Sequence, residues 1–239
     1  ELGGAYRMLG SKITIVEGLD HILNGFDKEM SDIIANRVKS AGSEIFTSAM
    51  AKSATQTDKD VTLTFEVDGK EQTVTGDYLL VSVGRRPNTD LIGLNNTDVK
   101  LTDRGLIEVD DSYATNVPHI YAIGDVVPGP MLAHKASFQA KVAAAAIAGA
   151  KDDVDLHVAL PAVAYTTTEL ATVRETPESV KDRKDVKISK FPFAANGRAI
   201  SMNDTTGFLR LITETKEGAL IGAQIVGPGA SDLISGLSL

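Results

Sequence analysis

Residues 116–149 read NVPHIYAIGDVVPGPMLAHKASFQAKVAAAAIAG. A short apolar run ends in Gly124–Asp125, a loop rich in proline and glycine follows (VVPGPM), and an alanine-rich helical stretch comes after it. Strand, turn and helix in that order make an α/β unit of the kind that meets ligands at the carboxyl edge of its sheet. Asp125 stands at that edge, where a carboxylate can accept a hydrogen bond from a polyol hydroxyl. The first N–H groups of the helix, starting at about Ala133–His134, lack intrahelical acceptors and favour electron-rich atoms. The competing reading makes Asp125 a turn former and His134 an ordinary helix-start residue.

Upstream of this unit the pattern is consistent with it. ELGGAYRML (1–9) reads as the tail of a helix that Gly10 ends, with Leu2, Ala5, Tyr6 and Leu9 on one face. No N-cap precedes Glu1, so the sequence is expected to start inside an element; its other end likewise reads as a cut. KITIVE (12–17) is a β-branched run suited to a buried parallel strand. A helix is expected from Asp27, its N-cap, with Met30, Ile33, Ile34, Val38 and Ala41 as its apolar stripe and Gly42 past its end. Residues 44–75 alternate polar and apolar around an Asp68–Gly69 turn, which predicts an antiparallel meander or hairpin. YLLVSVG (78–84) reads as another buried strand, stopped by the RRPN turn. Beyond about residue 150, five short strand-like runs (VALPAVAYT, ELATVR, VKISKFPF, FLRLITE, ALIGAQIVG) surround one helical stretch near Thr176–Arg183. These predict an antiparallel sheet with helices on one side. GASDLISGLSL reads as an interrupted helix.

Composition excludes several functions. The 239 residues carry a formal net charge of -8 and no basic block, which argues against nucleic acid and anionic membranes as partners. No apolar run is long enough to span a bilayer, and no signal peptide is visible. Cysteine is absent, so these residues offer no disulfide, thiolate ligand or thiol nucleophile. The four histidines (His21, His119, His134, His157) lack metal-ligand spacing.

Three further places invite a functional reading. Glu17 closes the strand ITIVE. An acid at the end of the second strand of a dinucleotide fold accepts hydrogen bonds from the adenosine ribose and repels the extra phosphate of NADP. A solvated acid at a strand end fits Glu17 as well, because no glycine-rich fingerprint lies upstream. Gly84 either lets backbone approach a ligand or makes the tight turn before Pro87, the commoner use. FPFAANGRA (191–199) reads as a surface loop turning at Asn196–Gly197.

Taken together, ITIVEGLDHILNGFDKEM, VSVGRRPNTDLIGL, the run from Arg104 to Gly149, KFPFAANGRAISMNDTTGFLRLI and IGAQIVGPGASDLI resemble the dihydrolipoamide dehydrogenase family along essentially the whole chain. GRRPN and the Gly-Asp strand end are shared with glutathione reductase, mercuric reductase and NADH oxidase relatives, whereas PMLAHKA and PFAANGRA are more specific to the lipoamide enzyme. The resemblance implies Rossmann-like α/β pieces followed by an α+β dimerisation domain: an NAD-binding part at 1–88, a returning segment of the FAD-binding domain at 89–150, and an interface domain at 151–239. It implies two cofactors, FAD and NAD. Glu1 resembles the last residue of the glycine-rich NAD motif and Glu17 the ribose-binding acid. Ala51 falls where backbone meets the adenine end, and Gly84 where backbone approaches the cofactor. Asp125 resembles the carboxylate on the flavin ribityl chain, and Met131, Leu132, Ala133 and His134 the segment against the flavin ring.

The chemistry the resemblance implies needs a cysteine pair and a histidine–glutamate pair. The first would lie before residue 1 and the His-Pro segment after residue 239, so no catalytic residue is assigned here. The chain alone is expected to be inactive and to hold FAD weakly or not at all. ATVRET places Arg174 where the family usually has glycine; if the backbone there has positive φ, arginine strains it. The implied partners are a second copy of the chain and the lipoyl-bearing acyltransferase of a 2-oxoacid dehydrogenase complex, in the cytoplasm. Two rivals stand: a noncatalytic dimerising module, and part of a related NADH oxidase or disulfide reductase.

Overall fold

A computed structural model describes residues 1–150 and 158–238. His157 and the domain boundary expected at residue 151 lie outside the described residues. The chain forms two compact units, Glu1–Val81 with Pro161–Leu239, and Ser82–Leu160.

In the first unit, helix α1 (Leu2–Met8) leads through Gly10 (φ 100°) to β1 (Thr14–Val16). Strand β1 pairs in parallel with β2 (Glu44–Phe46), Ile15 opposite Ile45, as the β-branched run predicts, though its residues are half-buried rather than buried. Between them runs α2 (Lys28–Ser40), whose N-cap Asp27 accepts the Glu29 N–H at 3.0 Å. Such a cap contributes about 1 kcal/mol. Met30 and Ile34 are buried on the helix stripe, with Ile33 and Val38 packed beside them. The face of α1 carrying Leu2, Tyr6 and Leu9 is exposed.

The alternating stretch forms the meander β3 (Ala49–Gln56), β4 (Val61–Val67) and β5 (Lys70–Gly76). Val67 and Lys70 face each other across Asp68 (φ 51°) and Gly69 (φ 71°), two left-handed residues that match the right-handed twist of the flanking strands.

Five strands after residue 160 build an antiparallel sheet in the order β6-β7-β10-β9-β8. They are β6 (Ala162–Ala164), β7 (Leu170–Arg174), β8 (Val186–Pro192), β9 (Phe208–Glu214) and β10 (Leu220–Val226). Leu170, Phe208 and Val226 join Met30 and Ile34 in one core, so the sheet packs against β1, β2 and α2. Each such side chain contributes about 1.5–3 kcal/mol by leaving water. The chain's end is an interrupted helix, α5 (Ala230–Leu233) passing into a tighter turn at Ile234–Leu237.

In the second unit Ile107, Ala122 and Val127 form the core, with Val99 and Val109 beside them. Helix α3 (Ala133–Ile147) follows the proline-rich loop.

Four local expectations change. YLLVSVG is no buried strand: Tyr78 is 95% exposed and Val83 90%, and the segment pairs with no strand among the described residues. Residues 120–123 form no strand beyond an isolated bridge between Tyr121 and Ala114. In both cases the apolar run is present but no ladder partner lies alongside, and a strand exists only with one. Thr176–Arg183 is a series of turns, because Thr176 and Ser179 spend their hydroxyls on each other's backbone N–H groups. Asn196–Gly197 opens a short helix, α4 (Gly197–Ser201), with Asn196 capping the Ala199 N–H.

Candidate functional site

Glu17 follows β1 directly and is fixed through its backbone. Its N–H donates to the Phe46 carbonyl at 2.8 Å, and its carbonyl accepts from the Ala49 N–H at 2.8 Å. Its half-buried side chain turns onto the next loop, Oε1 accepting the Leu19 N–H at 2.9 Å. The Glu17 carbonyl thus ties this corner to the start of β3, where Ala51 lies exposed opposite Phe65, just before a shift of register. Glu1 belongs to the same unit, and its carboxylate accepts the Tyr165 N–H at 2.6 Å.

The second unit holds the other candidates. Gly124, at φ 78°, starts a single 3-10 turn (Gly124–Val126) that presents Asp125. The Asp125 carboxylate accepts from the Arg85 guanidinium at 2.6 Å; Arg85 is 70% exposed and Asp125 38%. So exposed a pair is worth at most about 1 kcal/mol and readily exchanges for other partners. Gly84, next to Arg85, has φ 124° with open space where a side chain would stand. Met131 and Leu132 are half-buried and Ala133 and His134 exposed, where α3 begins without a side-chain cap from Leu132. Asp125 and the Met131–His134 segment therefore meet at one corner, the turn and the helix that follows it. Glu17 and Asp125 belong to different units.

Two residues of this corner went unnoticed in the sequence. Lys135 is 3% exposed, and its ammonium donates to the carbonyls of Gly124 at 3.2 Å and Pro128 at 3.4 Å. Burial pushes its pKa below the lysine range, with the Asp125 charge opposing. Gln139, also 3% exposed, accepts the Gly124 N–H at 2.6 Å. Both lie on the stripe that continues to the buried Val142 and Ala143, which identifies them only once that face is known to be buried.

Residues 1–140 match the family described as pyridine nucleotide-disulphide oxidoreductase, and residues 160–239 match the dimerisation domain of that family. The chain belongs to this family. Among curated relatives, dihydrolipoyl dehydrogenase of Geobacillus stearothermophilus is 53% identical over 240 residues, covering 100% of this chain and 51% of that protein. Dihydrolipoyl dehydrogenase of Bacillus subtilis (strain 168) is 52% identical over 241 residues, again covering 100% and 51%. The chain thus spans about half the length of the curated relatives it matches. Among solved structures, LpdA from Mycobacterium tuberculosis superposes with a TM-score of 0.90 at 28% identity, covering 100% of this chain and 51% of that one. The HOCl-induced flavoprotein disulfide reductase RclA from Escherichia coli gives 0.86 at 25%, covering 99% and 54%. These comparisons bear out the resemblance read from the sequence. Among the described residues no helix is long and apolar enough to cross a membrane, and no cluster of histidine and acidic side chains could hold a metal ion.

Proposed function

We propose that these residues supply nucleotide-binding corners and the subunit-interface sheet of a dihydrolipoyl dehydrogenase, a flavoprotein that passes electrons from dihydrolipoyl groups through FAD to NAD. The observation that carries this reading is identity of 52–53% to dihydrolipoyl dehydrogenases along the entire chain. Residues 1–88 form the NAD-binding part, 89–150 the returning FAD segment and 151–239 the interface domain. FAD supplies the electron relay when bound. The chain's own residues bind and orient: Asp125 accepts hydrogen bonds from the ribityl hydroxyls, with Met131, Leu132, Ala133 and His134 along the ring. The chemistry of the acceptor fits, since Asp125 is a half-exposed carboxylate paired with an exposed arginine that a ligand can displace. For NAD, Glu17 takes the adenosine ribose, with Glu1 and Ala51 of the same unit contributing polar and backbone contacts.

With no cysteine, the chain supplies no dithiol and is expected to show no turnover by itself. The working protein is a cytoplasmic homodimer that serves the lipoyl-bearing acyltransferase of a 2-oxoacid dehydrogenase complex. Titration of NADH into the purified chain, followed by nicotinamide fluorescence, tests the reading against a noncatalytic module. Saturable binding weakened by Glu17→Ala supports the proposal; a linear, unsaturable response overturns it. Stoichiometric flavin absorbance in the purified chain would contradict the expectation of weak FAD binding.

A further inference from the structure

A turn that merely joins an extended segment to a helix needs little from the helix, because water can satisfy its peptide groups. The Gly124 turn is different. Helix α3 holds both polar groups of Gly124: Gln139 accepts from its N–H at 2.6 Å, and Lys135 donates to its carbonyl at 3.2 Å. The second acceptor of Lys135 is the Pro128 carbonyl, so the loop from Gly124 to Pro128 curls over a buried ammonium. The backbone is shaped for this. Gly124 lies at φ 78°, where a side chain would stand 3.4 Å from the Ala136 Cβ, and Gly129 at φ 110°, where one would stand 3.4 Å from the Lys135 ammonium. Burying a cation is costly unless its donors are used, and a buried amide acceptor is costly if left unpaired. The sequence accepts both costs on one face of α3, one helical turn apart, and directs the two groups at the peptides on either side of Gly124, the residue before Asp125.

We propose that Lys135 and Gln139 are positioning residues that set the place and orientation of the Asp125 carboxylate for its polyol ligand. The inference rests on the reading of Asp125 given above and assigns the device that aims it. Neither residue touches the ligand: Lys135 holds the carbonyl side of the turn and Gln139 the N–H side. Glutamate at 139 keeps an acceptor of the same reach, whereas leucine does not.

Amide hydrogen exchange by NMR on the 239-residue chain tests this, with Val142 and Ala143 on the same helix as internal references. In the unsubstituted chain the Gly124 amide should be protected. Gln139→Leu should accelerate its exchange by about tenfold or more relative to the references, the worth of one strong buried hydrogen bond. Gln139→Glu should restore protection, and Lys135→Met should displace the Asp125 carboxyl 13C resonance. The proposal is overturned if Gly124 is unprotected at the outset, or if Gln139→Leu speeds all three amides equally, which marks loss of general stability alone. It is overturned too if Gln139→Glu behaves like Gln139→Leu, or if Lys135→Met leaves the Asp125 resonance unmoved. The reading of Asp125 itself is judged separately by adding millimolar FAD. Millimolar FAD fills even the weak site expected of this chain, so a shift of the Asp125 resonance, absent for a carboxyl of the other unit such as Asp58, upholds that reading. No shift removes it, while the exchange data still decide the clamp.

Discussion

Arg210 and Gln224 face each other across β9 and β10, and the guanidinium donates to the glutamine Oε1 at 2.6 Å with the two residues only 5% and 0% exposed. The same guanidinium pairs with Glu29 and lies 3.5 Å from Asp27, the residues that open α2. Its Cζ lies over the Phe208 ring, 4.7 Å from the centroid. One buried cation therefore joins the interface sheet to the helix that follows the Glu17 corner. Arg210→Met should destabilise the chain by about 2 kcal/mol, because it leaves the buried Gln224 acceptor unpaired and removes the cation beside Asp27 and the half-exposed Glu29. Urea unfolding would show this as a lower midpoint at unchanged slope.

Acid should act through the same cluster. Burial pushes the Glu29 carboxyl up, but Lys190 and Arg210 outweigh it and hold the group below the usual glutamate range. A carboxylate depressed on folding contributes stability that is fully present above the unfolded pKa and is lost as pH falls through the folded one. Stability should thus be level above about pH 5 and decline below 4.5. Glu29→Gln should flatten that decline, as read from urea midpoints between pH 3 and 7 (roughly the carboxylate window). An identical decline in the variant would exclude Glu29 as a source.

Arg174 ends β7 at φ 57°, in the left-handed region where a side chain is strained and glycine is not. Its neighbour leaves no slack, since a side chain on Gly222, opposite Arg174, would come within 2.2 Å of the Glu175 carbonyl. Holding a non-glycine residue in this region costs about 1–2 kcal/mol, partly offset by the greater freedom of an unfolded glycine. Arg174→Gly should therefore stabilise the chain by about 0.5–1 kcal/mol, visible as a higher Tm in calorimetry.

The parts legible in the sequence are those fixed by short-range chemistry. Asp27 caps α2, and Asp68–Gly69 turns the meander. What was misread depends on neighbours in space. Tyr78–Gly84 and Ile120–Ile123 have strand composition, yet only a partner strand makes a strand of them. The corner around Asp125 was legible as a carboxylate before a helix. Its bracing by Lys135 and Gln139 was not, because polar residues on an alanine-rich helix read as its solvated face until the burial of that face is known. Arg85 was read as part of a turn, and its pairing with Asp125, 40 positions along, had no local signal.

The most direct measurement compares NADH with NADPH. Binding of both to the chain, and to its Glu17→Ala variant, would be followed by fluorescence titration. If Glu17 is the ribose-binding acid, the chain favours NADH by about tenfold or more, from a charge-assisted hydrogen bond gained with one nucleotide and charge repulsion with the other. Substitution of Glu17 should reduce that preference to near unity. Equal affinity for both nucleotides in the unsubstituted chain, or a preference that survives Glu17→Ala, would contradict the assignment.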